Sequence, residues 1–119
     1  MKQPDDRNRL RHMLDHSREA VDMTEGKRRE DLKSDRILEL ALVRLIEIVG
    51  EAAVKMNPEG QAECPLIPWR EVIGMRNRLI HGYDSVDLDV LWDTIENDLP
   101  PLIKELERIL GNKENGNTP

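Results

Sequence analysis

Ile37-Leu38-Glu39-Leu40-Ala41-Leu42-Val43-Arg44-Leu45-Ile46-Glu47-Ile48-Val49-Gly50-Glu51-Ala52-Ala53-Val54 carries charge only at Glu39, Arg44, Glu47 and Glu51. On a helix turning about 100° per residue, those four side chains fall within an arc of about 140°. The rest of the circumference is apolar or small, a wider band than a helix resting on a single neighbour displays. The spacing predicts a central helix, about Glu30 to Lys55, packed on two sides, with Gly50, Ala52 and Ala53 admitting the close approach of another backbone.

Outward from this helix, the patterns on both sides are helical as well. Leu10, Met13, Leu14, Val21 and Thr24 recur at helical spacing from about Asp5 to Thr24, with Asp5 and Asp6 suited to the positive N-terminal end and Gly26 closing the segment. Asn57-Pro58-Glu59-Gly60 is a turn cluster, and the stretch to Pro65 reads as a loop. A third helix begins near Pro68, where a missing N–H costs nothing, buries Trp69, Val72, Ile73, Leu79 and Ile80, and is ended by Gly82. A fourth follows Asp84 to Asp87 and runs from Leu88 to Ile109, with Pro100 and Pro101 expected to kink or divide it. No segment shows a convincing two-residue alternation. The expected domain is 1–111, and the apolar-free stretch 112–119 is expected to be a disordered tail.

Composition agrees with helices. With 119 residues, no Phe, one Tyr and two Trp, a single modest core must be built from Leu, Ile, Val, Ala and Met. A net charge of −6 excludes a general electrostatic clamp on nucleic acid, which relies on many cations neutralising phosphates. Any such contact must be local, and Arg70, Arg76 and Arg78 stand against only Glu71 between Arg70 and His81. The sole cysteine, Cys64, excludes an internal disulfide and a zinc framework and fits a reducing cytoplasm. No run approaches the roughly 20 apolar residues of a membrane span, and no signal-peptide pattern opens the chain.

Reactive groups concentrate in Arg76-Asn77-Arg78-Leu79-Ile80-His81-Gly82-Tyr83. Arg76 and His81 lie about 140° apart on an ideal helix, so His81 must occupy a loosened last turn for its ring to swing toward the groove that Arg76 enters. Asn77, four residues before His81, would share its face and orient the imidazole or a phosphate oxygen. Taken alone, the pattern favours a plainer reading, in which Arg76 and Arg78 are solvated cations at a helix C-terminus and His81 is a cap. His12 and His16 are spaced like a metal-binding pair, but Asp15 does not supply a third ligand on their face, so solvent exposure is the expected reading. Arg44, Glu47 and Glu51 read as a solvated or interfacial stripe. There is no recognisable Ser/His/Asp arrangement and no glycine-rich phosphate loop.

Over about residues 5 to 110 the chain resembles the HepT-like branch of the HEPN superfamily. The resemblance is carried by Asp5-Asp6-Arg7, Leu10-Arg11-His12-Met13-Leu14-Asp15, Ile46-Glu47-Ile48-Val49-Gly50-Glu51-Ala52-Ala53 and Ile67-Pro68-Trp69-Arg70. It continues through Gly74-Met75-Arg76-Asn77-Arg78-Leu79-Ile80-His81-Gly82-Tyr83, Val86-Asp87 and Glu96-Asn97-Asp98-Leu99-Pro100, in order and at compatible spacing. It implies an all-α, four- to five-helix antiparallel bundle that forms a homodimer with two Arg-x4-His motifs in one cleft. The implied activity is that of a metal-independent endoribonuclease toxin without a cofactor, of a type VII toxin–antitoxin system. Its partner is a minimal nucleotidyltransferase antitoxin that adds AMP to the motif tyrosine. On this sequence the implied catalytic residues are Arg76 and His81, the modified residue is Tyr83, and Asn77 and Arg78 are supporting substrate contacts. The alternative is a non-catalytic helical partner that only docks the nucleotidyltransferase and receives its modification.

Overall fold

The computed structural model describes residues 4–115, with side chains described for 5–111. Helix α1 (Pro4–Thr24) leads through the short α2 (Asp31–Ser34) to α3 (Arg36–Val54), α4 (Pro58–Glu63) and α5 (Trp69–Leu79). A two-stranded hairpin, β1 (Ile80–His81) and β2 (Ser85–Val86), is followed by α6 (Leu88–Asp93), a π-helical segment (Thr94–Asp98) and α7 (Leu99–Asn115). The expected all-α bundle is what forms. Its long helices neighbour one another in the order α7, α1, α3, α5, which places α3 between α1 and α5 as its apolar band requires.

Leu42, Ile46, Val49 and Ala53 of α3 are essentially inaccessible, alongside Leu10, Met13 and Leu14 of α1, Val72, Met75 and Leu79 of α5, and Leu99 and Leu106 of α7. Gly50 faces α5 directly: a Cβ there would stand 3.4 Å from the Val72 carbonyl oxygen and 3.5 Å from that of Ile73. The broad apolar arc of α3 is therefore consumed inside the chain's own core. Ala53 is part of that core, so a charge placed there reports on folding and not on an intersubunit surface. The large apolar side chains that α3 leaves exposed are Ile37, Leu40 and Val54.

Four boundaries differ from the sequence reading, each for a local reason. The central helix begins at Arg36, because the Asp35 side chain accepts from the Leu38 N–H at 3.0 Å and caps α3, separating it from α2. The expected loop after Asn57 contains α4, with Pro58 in its first turn. Asn57 does not cap that helix with its side chain. Instead its backbone N–H donates to the fully buried Asp6 carboxylate at 3.2 Å, tying the start of α1 to the α3–α4 turn, with Arg9 paired to the same carboxylate at 3.1 Å. The third helix stops at Leu79, ahead of Gly82, and turns into the hairpin described below.

At the fourth boundary the helix is divided, but the division falls ahead of Pro100 and Pro101, in the π-helical segment Thr94–Asp98 that joins α6 to α7. The prolines lack the N–H groups that would bond Glu96 and Asn97, and the chain widens beforehand into a π turn in which the Leu99 N–H reaches the Thr94 carbonyl. The prolines then sit in the first turn of α7, where their missing donors are harmless. Helical backbone continues to Asn115, into the first part of the expected tail, and 116–119 lie outside the described residues. Among the described residues no helix is long and apolar enough to cross a membrane.

Candidate functional site

Arg76 lies in the last turn of α5 and points across to α3. Its Nε donates to Glu47 Oε2 at 2.8 Å, while Arg44 Nη1 donates to Glu47 Oε1 at 2.6 Å and lies 3.7 Å from Glu51 Oε1. Both Glu47 oxygens are thus engaged. The hydrogen bond from Arg44, then that from Arg76, hold its carboxyl below the usual carboxylate range against the opposing effect of partial burial. The described hydrogen bonds of Arg76 use Nε alone, so its two terminal nitrogens form a fork whose direction Glu47 sets. The fork stands at a cleft of about 420 Å³ between α3 and α5, whose walls include Glu47, Gly50, Glu51, Ile73, Arg76 and Asn77.

His81 does not occupy a loosened helical turn. Ile80 is already extended, at φ −100° and ψ 125°, and His81 belongs to β1, paired with Ser85 while Ile80 pairs with Val86. The half-buried Ile80 and Val86 pack on the core, which turns His81 and Ser85 outward. Because the helix ends at Leu79, the expected shared face of Asn77 and His81 is lost. Gly82, at φ +69°, takes the left-handed conformation that opens the three-residue turn, and Tyr83 at its tip is fully exposed.

A second acid stands near the histidine. His81 Nε2 lies 3.6 Å from Asp87 Oδ2, an ion pair when the ring is protonated. The same Asp87 caps α6 through its other oxygen, accepting from the Asp89 and Val90 N–H groups at 3.1 Å each, and its own N–H closes the hairpin onto the Leu79 carbonyl at 2.7 Å. The Val90 N–H first, then His81 and the Asp89 N–H, keep the Asp87 carboxyl below its ordinary range.

Of the sequence-predicted residues, the structure puts Arg76 and Asn77 in one cleft and carries His81 and Tyr83 on the hairpin that immediately follows. Arg78 points elsewhere. It borders a separate cavity of about 450 Å³ between α5 and the start of α7, with Pro68, Met75, Asp98 and Pro101. Sequence reasoning missed the roles of Glu47 and Asp87. Glu47 was legible only as part of a charged stripe, whereas Asp87, two residues before Asp89 and at the head of an apolar run, carries a helix-capping signal. His12 and His16 have ring centroids 6.4 Å apart, and among the described residues no group of three or more His, Cys, Asp or Glu could hold a metal ion. Cys64 is buried, and burial pushes its thiol up, away from the thiolate form.

The family model for HepT-like ribonucleases matches residues 13–109. A candidate ribonuclease HepT of Thermococcus cleftensis is 37% identical over 100 residues, covering 81% of this chain and 91% of its own. A candidate RNase of Caldanaerobacter subterraneus subsp. tengcongensis is 36% identical over 101 residues, covering 85% and 90%. Another from Methanocaldococcus jannaschii is 31% identical over 98 residues, covering 82% and 90%. No solved structure matches the chain.

Proposed function

We propose that this chain, which belongs to the HepT-like ribonuclease family, cleaves RNA as a homodimeric, metal-independent endoribonuclease toxin and is silenced by AMP addition at Tyr83. The observation that carries the reading is the Arg76 fork, fixed by Glu47 at the lip of a cleft, with His81 on the hairpin directly after it. RNA contains its own nucleophile. A neutral His81 imidazole takes the 2′-hydroxyl proton as that oxygen attacks phosphorus, and the P–O5′ bond breaks. A protonated His81 then gives its proton to the departing 5′-oxygen, leaving a 2′,3′-cyclic phosphate. Arg76 meets the charge that develops on the phosphoryl oxygens. One protomer offers one His81, and a two-fold dimer supplies the second. With two rings in one cleft, one can act as the base while the other acts as the acid.

Unmodified protein is expected to cut RNA in the presence of EDTA, and His81→Ala and Arg76→Ala to lose about 10²- to 10⁴-fold in rate while remaining folded. Full activity of His81→Ala, or loss in EDTA restored by Mg²⁺, overturns the mechanism. A second reading, a non-catalytic partner that receives the modification, is favoured by one observation, the complete exposure of Tyr83 at a loop tip. AMP there adds a phosphodiester anion and a bulky nucleoside close to His81, where an RNA phosphate must approach. Coexpression with the cognate minimal nucleotidyltransferase is expected to add the mass of one or more AMP units to Tyr83 and to suppress cleavage. Equal neutralisation of Tyr83→Phe would mean that docking alone inhibits.

A further inference from the structure

We infer that the cleft beside Arg76 is a nucleobase subsite for guanine, with Glu51 and Lys55 reading its Watson–Crick edge. The inference rests on the ribonuclease reading in one respect only, that the nucleotide held there belongs to an RNA strand. At about 420 Å³ the cleft falls in the range of about 300–1,000 Å³ typical of small-molecule sites. Its apolar walls are Val54 on α3 and Ile73 on α5, both exposed, with Gly50 contributing no side chain between them, so a flat ring has aliphatic surface to lie against.

The polar groups are not equivalent. Glu47 has both oxygens occupied by arginines, whereas Glu51 meets Arg44 only at 3.7 Å, beyond hydrogen-bond reach, and stands exposed on the ridge between this cleft and a second cavity against α1. Lys55, four residues on, is the residue that caps the C-terminal end of α3 and borders the same two cavities. An ionised carboxylate accepts only, with two oxygens side by side, and an ammonium donates only. Guanine is the RNA base whose Watson–Crick edge matches that pair. N1–H and the exocyclic amine are two adjacent donors for Glu51, and O6 beside them is an acceptor for Lys55. Adenine and cytosine present one donor next to a ring-nitrogen acceptor that faces the carboxylate unfavourably, and uracil presents a single donor between two carbonyls. Reading an unstacked base by that edge is the usual route to sequence preference on single-stranded RNA.

Two measurements test the subsite. In equilibrium binding to purified, unmodified protein, guanosine 3′- and 5′-monophosphates are expected to bind about tenfold or more tightly than the adenosine, cytidine and uridine counterparts, the scale of one bidentate base contact. Glu51→Gln and Lys55→Met, both at exposed positions, should each shrink that difference. Sequencing of cleavage ends from a random single-stranded RNA pool should show guanine enriched at one position next to the cut, and the enrichment should fall in the Glu51→Gln protein. Equal binding of the four nucleotides, or a guanine preference that survives both substitutions, overturns the subsite. Cleavage without base preference removes the subsite and leaves the ribonuclease. Guanosine-selective binding without cleavage of any RNA removes the ribonuclease and leaves the subsite.

Discussion

Glu47 holds two arginines, and under the proposed mechanism that arrangement would act on catalysis in two opposite ways. By fixing Nε it aims the Arg76 fork, and by standing beside the fork it places a negative charge near an incoming phosphate. Misaiming a catalytic cation by about 1 Å costs up to about 10²-fold in rate, whereas the repulsion from one partly exposed charge is weakened by solvent. Aim therefore outweighs repulsion, and Glu47→Gln is expected to lower kcat for RNA about 10- to 100-fold without raising KM. A rise in KM at unchanged kcat would show that Glu47 acts on binding instead. Asp87 also has two tasks, one for each oxygen. Asp87→Asn keeps a competent helix cap and should hold the melting temperature while lowering activity. Asp87→Ala should lose both activity and, with the helix cap gone, melting temperature. Since the folded-state carboxyls of Glu47 and Asp87 titrate below their ordinary range, the folded chain binds fewer protons than the unfolded chain just below that range. Their stabilisation is thus present above the unfolded carboxylate pKa and lost as pH falls through the folded values, and thermal melts should decline on the acid side.

At the scale of elements, the buried knot between α1 and α4 is the most sensitive point outside the site. Gly60 packs so closely on Asp6 that an added Cβ would overlap its carboxylate, and that carboxylate is committed to Arg9 and Asn57 and sealed from water. Gly60→Ala is expected to cost about 1–3 kcal/mol, seen as a lower denaturation midpoint with the far-ultraviolet helix signal retained. A neutral outcome would mean that α4 can move off α1. None of this was visible along the chain, because Asp6 and Asn57 are distant in sequence and the loop reading of residues 57–65 rested on local turn signals. The long helices were legible since each repeats its apolar spacing over several turns. The hairpin was not, because two residues per strand are too few to establish an alternation, so His81 was assigned to a helix end. The π turn was likewise hidden: the prolines announce that the ordinary ladder must be interrupted, but not that the interruption takes the form of a wider turn ahead of them.

For the whole molecule, the stripe that α3 leaves uncovered bears on assembly. Ile37, Leu40, Arg44, Glu47, Glu51 and Val54 follow one another at spacings of three and four, so they share one face, and Ile37 and Leu40 remain 81% and 52% exposed at one end of it. Single exposed apolar residues are ordinary, but two large ones a turn apart, beside the charged cluster that holds Arg76, form a patch suited to a second copy. A two-fold axis across this stripe would set Leu40 against its counterpart and bring two Arg76 forks and two hairpins toward one cleft, as the two-histidine reaction requires. The core offers no substitute test, since its apolar residues are already engaged within the protomer and a charge at Ala53 would unfold it. Leu40→Arg avoids that problem. Its position is half exposed in the protomer, so the variant should keep its helix content, while a dimer would have to bury two unpaired guanidiniums. The expected result is a dimer at micromolar concentration for the unaltered chain by sedimentation, a monomer for Leu40→Arg, and loss of cleavage in parallel. If Leu40→Arg sediments and cleaves like the unaltered protein, the two-fold axis does not pass across this stripe, and if the unaltered protein is a monomer that still cleaves RNA, a single His81 must serve and the paired-histidine mechanism fails.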